Sequence, residues 1–135
     1  MALVTLIQHC ERISMAENLS NALPDGFEAL QRFVPKWVHG TEKARNQFRV
    51  AQSLEDLTEF YTVMLERMDE IAKFLKPIPL ENIPRDCANL LELALMAMEV
   101  APAVEYYDSP DVPKAVDYDR FEIYNVAPKY LVGAD

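Results

Sequence analysis

Hydrophobic residues return at three- and four-residue steps over most of the first 107 positions, which is the spacing of amphipathic helices. The longest regular run covers 54–75, and acidic residues dominate its opposite face. Its apolar positions are Leu54, Leu57, Tyr61, Met64, Leu65, Met68, Ile71, Ala72 and Leu75. Ser53 carries a hydroxyl of the kind that caps helix N-termini, so this pattern predicts a helix that begins directly after it.

The segment 84–101 is apolar on nearly every side and consists mainly of Leu, Ala and Met, which are strong helix formers. A helix of this kind is normally enclosed by its neighbours. Pro84 suits the first helical position, and Pro102 predicts a kink or an end after Ala101. Because a proline-rich connector joins this helix to 54–75, we expect the two long helices to pack antiparallel.

One line of polar residues interrupts the apolar surface of 84–101. Arg85, Glu92, Glu99 and Tyr106 recur every seven residues, and Asn89 lies one turn before Glu92. Seven residues make almost two full helical turns, so these side chains align in a seam. The simpler interpretation is a solvent-facing stripe. The alternative is a seam that faces a cavity or a partner, with Glu92 or Glu99 as a carboxylate of raised pKa.

Two further helical regions, 2–22 and 26–51, are expected to cover the long pair. In the second region the pattern buries Phe27, Leu30, Val34 and Trp37. Its boundaries are marked by Asp25 and Glu28 (a capping box), Pro35 (a kink or stop), Gly40 (an end) and Thr41 (a new N-cap).

A basic island lies between residues 36 and 52, where Lys36, Lys43, Arg45 and Arg49 face a single acid, Glu42. The simpler hypothesis is a solvated face that pairs with acidic helices of the same fold. The alternative is a small patch that binds an anion or a partner, although no glycine-rich phosphate cradle accompanies it.

The composition changes after Tyr107, where prolines become frequent and the helical period is lost. Disordered tails normally lack aromatic residues, but 108–135 contains several. We therefore expect an extended C-terminal tail, with a short strand at 121–126, that docks on the bundle or on a partner subunit. The predicted fold is all-α, a four-helix bundle-like domain over 1–107 followed by a Pro/Tyr-rich nonhelical tail over 108–135.

Charge and composition exclude several function classes. The net charge of −9 argues against nucleic acid and anionic membrane surfaces as partners. Glu92 and Glu99 interrupt the longest apolar run, so we expect no membrane span, and the N-terminus lacks the features of a secretory signal. Cys10 and Cys87 fall at apolar helical positions and predict buried free thiols in a cytoplasmic protein.

The sequence contains no catalytic constellation. Its two histidines, His9 and His39, lie in different elements, and no Cys/His/Asp cluster has the spacing of a zinc site. There is no nucleophile elbow, P-loop or dinucleotide fingerprint. We therefore predict no metal and no cofactor.

The candidate ligand-binding residues are Trp37, His39, Glu92, Glu99, Tyr106 and Tyr107. The tyrosine pair, the Pro102 kink and Glu99 lie within two turns and could hold a small polar ligand in an apolar lining. Trp37 beside His39 could line a pocket, although a core position is the simpler role for a tryptophan.

Three functions fit these observations. The leading hypothesis is a small cytosolic interaction or accessory protein without catalytic activity, with a homodimer as a candidate assembly. Its acidic helices and basic island could meet across a two-fold axis. The first alternative is a small-molecule-binding or enzymatic bundle with a pocket near Glu99, Tyr106 and Tyr107. The second is an acidic inhibitor or immunity-type protein that neutralises a basic partner.

Overall fold

A computed structural model describes residues 21–113, Arg120 and Glu122. All regular structure in these residues is helical, which confirms the all-α prediction. Four α-helices follow one another: α1 (Val34–Trp37), α2 (Glu42–Ala51), α3 (Leu54–Leu75) and α4 (Arg85–Pro102). Two 3₁₀ turns (Glu28–Phe33 and Leu80–Asn82) and one π turn (Ala103–Tyr107) adjoin them.

Helix α3 has the bounds that its hydrophobic period predicts. Its N-cap is Ser53, whose Oγ accepts a hydrogen bond of 3.1 Å from the Asp56 amide. Thr41 caps α2 in the same way, with Oγ1 accepting from the Ala44 amide at 3.1 Å. Both predicted N-caps are therefore confirmed, because each hydroxyl satisfies an amide that has no partner within its helix.

The core lies between α3 and α4, which pack antiparallel as expected. The short connector returns the chain at one end, and the Tyr61 hydroxyl of α3 donates a hydrogen bond to the Glu105 carboxylate at the other. The fully buried side chains of the pair are Leu57, Phe60, Met64, Ile71, Leu90, Leu93, Met96 and Val100. Burial of these side chains from both helices is the main source of stability in this fold.

The segment 27–37 crosses α3 from its C-terminal half to its N-terminal half. Phe27 contacts Phe74 edge to face at 5.3 Å, and Phe33 contacts Phe60 in the same way at 5.2 Å. Trp37 then stacks on Phe60, with ring centroids 4.1 Å apart. These aromatic contacts pack segment 27–37 against the long helix α3.

The break predicted within residues 26–51 is confirmed, because α1 ends at Trp37 and α2 is a separate helix with Thr41 as its N-cap. Pro35 lies at the start of α1, directly after a 3₁₀ turn. The predicted capping box at Asp25 is wrong, because Phe27 is the N-cap and the Glu28 carboxylate accepts from the Gly26 amide.

Helix α4 ends at Pro102 and the chain continues as a π turn, so the predicted kink or end at this proline is confirmed. Three other details of the long helices differ from expectation. Pro84 is the N-cap of α4 rather than its first residue. Leu65, expected in the core, is 56% exposed. Phe60, absent from the predicted apolar face, is fully buried because segment 27–37 covers it.

Several predictions fall outside the described residues. These are the helix over 2–22, the environment of Cys10 and His9, the strand at 121–126 and most of the tail. The finer prediction of a four-helix bundle depends on the first of these elements.

Candidate functional site

The polar seam of α4 faces α2 rather than open solvent over its central part. Arg45 Nη1 lies 2.9 Å from Glu92 Oε2, and the two side chains are 12% and 4% exposed. The same nitrogen of Arg45 lies 3.2 Å from the His39 carbonyl oxygen and donates to it. The expectation of a solvent-facing stripe is therefore wrong at Glu92.

A second ion pair lies seven residues further along α4. Arg49 Nη1 is 3.0 Å from Glu99 Oε1, and Asn46 Nδ2 donates to the same oxygen at 3.3 Å. Asn46 Oδ1 and Arg49 Nε are also buried and have no hydrogen-bond partner in this contact. The contact is thus mostly, though not completely, satisfied.

These two ion pairs use two of the four basic residues of the basic island. Arg45 and Arg49 pair with acids of α4, and Lys36 pairs more loosely with Asp56 of α3 at 3.7 Å. The prediction that the island pairs with acidic helices of the same fold is confirmed, but Arg49 is buried rather than solvated. Because Arg45 and Arg49 are paired with acids of α4 in buried contacts, these two residues do not support pairing of the island across a two-fold axis.

The two ends of the seam behave differently from its middle. Arg85 is exposed, and Tyr106 is 83% exposed. Asn89 is buried, and its Nδ2 donates to the Ala22 carbonyl at 2.9 Å, which holds the backbone at Ala22 beside α4. Regular spacing therefore aligns the side chains but does not give them one environment.

The C-terminal end of α4 does not bring Glu99, Tyr106 and Tyr107 together. Glu99 points to α2, Tyr106 projects from the surface, and Tyr107 packs partly buried against the core. The turn ends at Asp108, which has left-handed backbone geometry (φ 49°). A pocket made by these three residues finds no support in this geometry.

Tyr61 is the tyrosine with a defined polar partner at this end. Its hydrogen bond to Glu105 raises the pKa of the Tyr61 hydroxyl, and burial and the negative charge of Glu105 act in the same direction. Sequence reasoning assigned Tyr61 to the core, where it does lie, but gave no indication of its partner.

Trp37 and His39 both contact the Phe48 ring but differ in burial. Trp37 is 4% exposed and belongs to the core, with Phe60 stacked on its face and Phe48 at its edge. The His39 ring lies 4.4 Å from the Phe48 ring, and its Nε2 is 3.0 Å from the Lys36 carbonyl oxygen. The core role of Trp37 is confirmed.

Metal and thiol chemistry have little support between residues 21 and 113. No group of three or more His, Cys, Asp or Glu side chains is placed there to hold a metal ion. Cys87 is a free, buried thiol, and its burial together with Asp86 raises its pKa. A raised pKa keeps the thiol protonated and therefore a poor nucleophile.

In the part of the chain that the structure describes, another side of α4 carries a partly exposed apolar strip. Leu91, Leu95, Met98 and Pro102 follow at steps of four, three and four residues and so share one face. Met98 is 63% exposed, and the other three are partly exposed. We call these four residues the α4 strip. The sequence did not single it out, because a helix that is apolar all round gives no sign of which side stays uncovered.

Helix α4 and its π turn also have the length and composition of a membrane span. Arg85–Tyr107 has 23 residues, with a mean hydropathy of 1.5 over its most apolar stretch. Glu92 and Glu99 lie within this segment and interrupt its apolar run. However, 61% of that stretch is buried inside the fold, and the central helix of a folded core has the same properties.

Comparison with known proteins assigns no family to the chain. No protein-family model matches the sequence, and no curated protein or solved structure matches it.

Proposed function

We propose that this protein is a small helical interaction protein, and that its α4 strip binds a second copy of the same chain. The observation that carries the proposal is the exposure of Met98 in the C-terminal half of α4, the most apolar of the described helices. Apolar side chains that cluster on one face of a folded protein commonly mark a protein-binding surface.

The charges at the two ends of the strip favour a second copy as the partner. Arg85 is exposed where α4 begins, whereas Glu105 and Asp108 are exposed where the helical segment ends. In a two-fold dimer the two α4 helices can run antiparallel, so that each Arg85 lies near the acidic end of the other copy. The ends then attract while the strips exclude water between them.

A charge placed in the strip tests the proposal. Met98→Asp should raise the dimer dissociation constant by about 100-fold or more, because an unpaired carboxylate would lie in the centre of an apolar interface. Sedimentation equilibrium measures this constant. Circular dichroism should show unchanged helix content, because Met98 is exposed in the single chain.

Leu80→Asp is the matched control. Leu80 is 49% exposed but lies in the 3₁₀ turn of the connector, so the same change should leave the dimer intact. Equal effects of the two substitutions would contradict a specific role for the strip. A monomeric wild-type protein that floats with lipid vesicles would instead identify the strip as a membrane-binding surface.

A further inference from the structure

A groove of about 230 Å³ lies on the side of the molecule where α1 and its preceding 3₁₀ turn meet α3. Buried aromatic rings form its floor, with Trp37 stacked on Phe60 at an interplanar angle of 3°. Charged side chains form its two walls. None of these residues belongs to the α4 strip, so the groove stands independently of the proposed dimer.

The two walls carry opposite charges. Arg32 and Lys36 lie on one side, whereas Asp56 and Glu59 of α3 lie on the other. Arg32 Nη1 lies 3.1 Å from Glu59 Oε1, and Lys36 Nζ lies 3.7 Å from Asp56 Oδ2. All four side chains are about half exposed, so water screens both pairs and they are readily rearranged.

We propose that this groove binds a small zwitterion of the amino-acid class. The carboxylate of the ligand contacts Arg32 and Lys36, its ammonium group contacts Asp56 and Glu59, and its apolar part lies over the aromatic floor. An anion or a cation alone would meet one wall of like charge, so the groove selects a ligand that carries both charges.

The volume of the groove also favours a ligand as small as a single amino acid. Pockets for drug-sized molecules have volumes of roughly 300–1,000 Å³, and this groove is smaller. A single amino acid is of a size to enter this volume once Arg32 and Lys36 turn away from the rings of Phe33 and Trp37, over which they lie. The aromatic floor favours an apolar side chain over a charged one.

Trp37 provides the measurement, because it is the only tryptophan in the chain and lies in the floor. Its fluorescence is followed while L-leucine, L-methionine or L-phenylalanine is added, together with the amide and the N-acetyl derivative of each. We expect a saturable change with at least one free amino acid. Both derivatives should bind about tenfold more weakly or worse, because each lacks one charge-assisted contact.

Glu59→Gln and Glu70→Gln form a matched pair of variants. Both are carboxylates of α3 that pair with an arginine, and their side chains are 59% and 58% exposed. Glu59→Gln should weaken binding about tenfold, whereas Glu70→Gln, outside the groove, should not change it. No saturable response to any of the three amino acids, an equal response to the derivatives, or equal effects of the two variants would overturn the proposal.

Discussion

Glu92 lies in the most apolar helix of the chain with only 3% of its surface exposed. A buried carboxylate is costly unless a charged partner compensates for its lost hydration, and Arg45 supplies that partner at 2.9 Å. The pair therefore holds α2 against α4, because separating two buried charges is costly. Replacing one partner should lower the free energy of unfolding more than replacing both.

Glu92→Gln should lower the free energy of unfolding by about 3 kcal/mol, because it leaves the Arg45 guanidinium buried without its counter-charge. The double replacement of Glu92 by Leu and Arg45 by Met should cost much less than this single change. Urea unfolding followed by circular dichroism measures both values. Glu59→Gln breaks an exposed pair instead and should cost less than about 1 kcal/mol. Similar costs for Glu92→Gln and Glu59→Gln would show that the buried pair has no special role.

Tyr61 makes the stability of the fold depend on pH in the alkaline range. Its pKa in the folded protein is raised by the hydrogen bond to Glu105, so the folded state holds this proton more tightly than the unfolded chain does. The resulting contribution to stability is complete below pH about 10, the ordinary pKa of tyrosine. It is lost as the pH rises through the folded-state pKa.

An ultraviolet absorbance titration should therefore show a late component from Tyr61, which ionises above the ordinary pKa of tyrosine. That late component should be missing from Tyr61→Phe, and the stability of this variant should fall less steeply at alkaline pH. Its persistence in the variant would assign the raised pKa to another tyrosine.

At the scale of elements, α2 depends on polar contacts more than any other long helix in the described chain. Its buried residue is Arg49, and Phe48 is its partly buried apolar contact with the core. Hydrophobic burial is therefore small for this helix, and its cap and its two ion pairs carry more of the stability.

Thr41→Ala should destabilise α2 by about 1 kcal/mol, since it removes the acceptor for the Ala44 amide. Hydrogen exchange should become faster in the amides of α2 while those of α3 change little. Thr58→Ala is the control, because Thr58 is an exposed residue of α3 whose hydroxyl bonds within its own helix. Faster exchange throughout the protein in Thr41→Ala would mean that α2 and the core unfold together.

The elements also show where sequence reasoning succeeds. A long amphipathic period with a serine cap determined α3, because local propensity and burial favour the same structure over 22 residues. Residues 28–37 were harder, since aromatic packing against α3 decides between a 3₁₀ turn and an α-helix in so short a segment. Pro102 marked the end of α4 correctly, because its ring removes a helical hydrogen bond, and a π turn follows it.

At the scale of the whole molecule, the candidate surfaces were predictable only in part. The sequence placed Glu92 and Glu99 on one line and Arg45 and Arg49 in one island, but only the packing of α2 on α4 joins them. Similarly, Trp37 was recognised as a core residue, while the groove above it depends on how Lys36 and Asp56 meet across two elements. A surface formed by residues of two helices cannot be predicted from the hydrophobic periodicity of each helix alone.

The molar mass of the wild-type protein in solution tests the central claim most directly. Each chain has a mass of 15.4 kDa, and pairing through the α4 strip predicts a species of twice that mass in light scattering. Dilution should shift the protein toward the single-chain mass, and Met98→Asp should reach that mass at much higher concentration. A wild-type protein that keeps the single-chain mass at every concentration would contradict the claim.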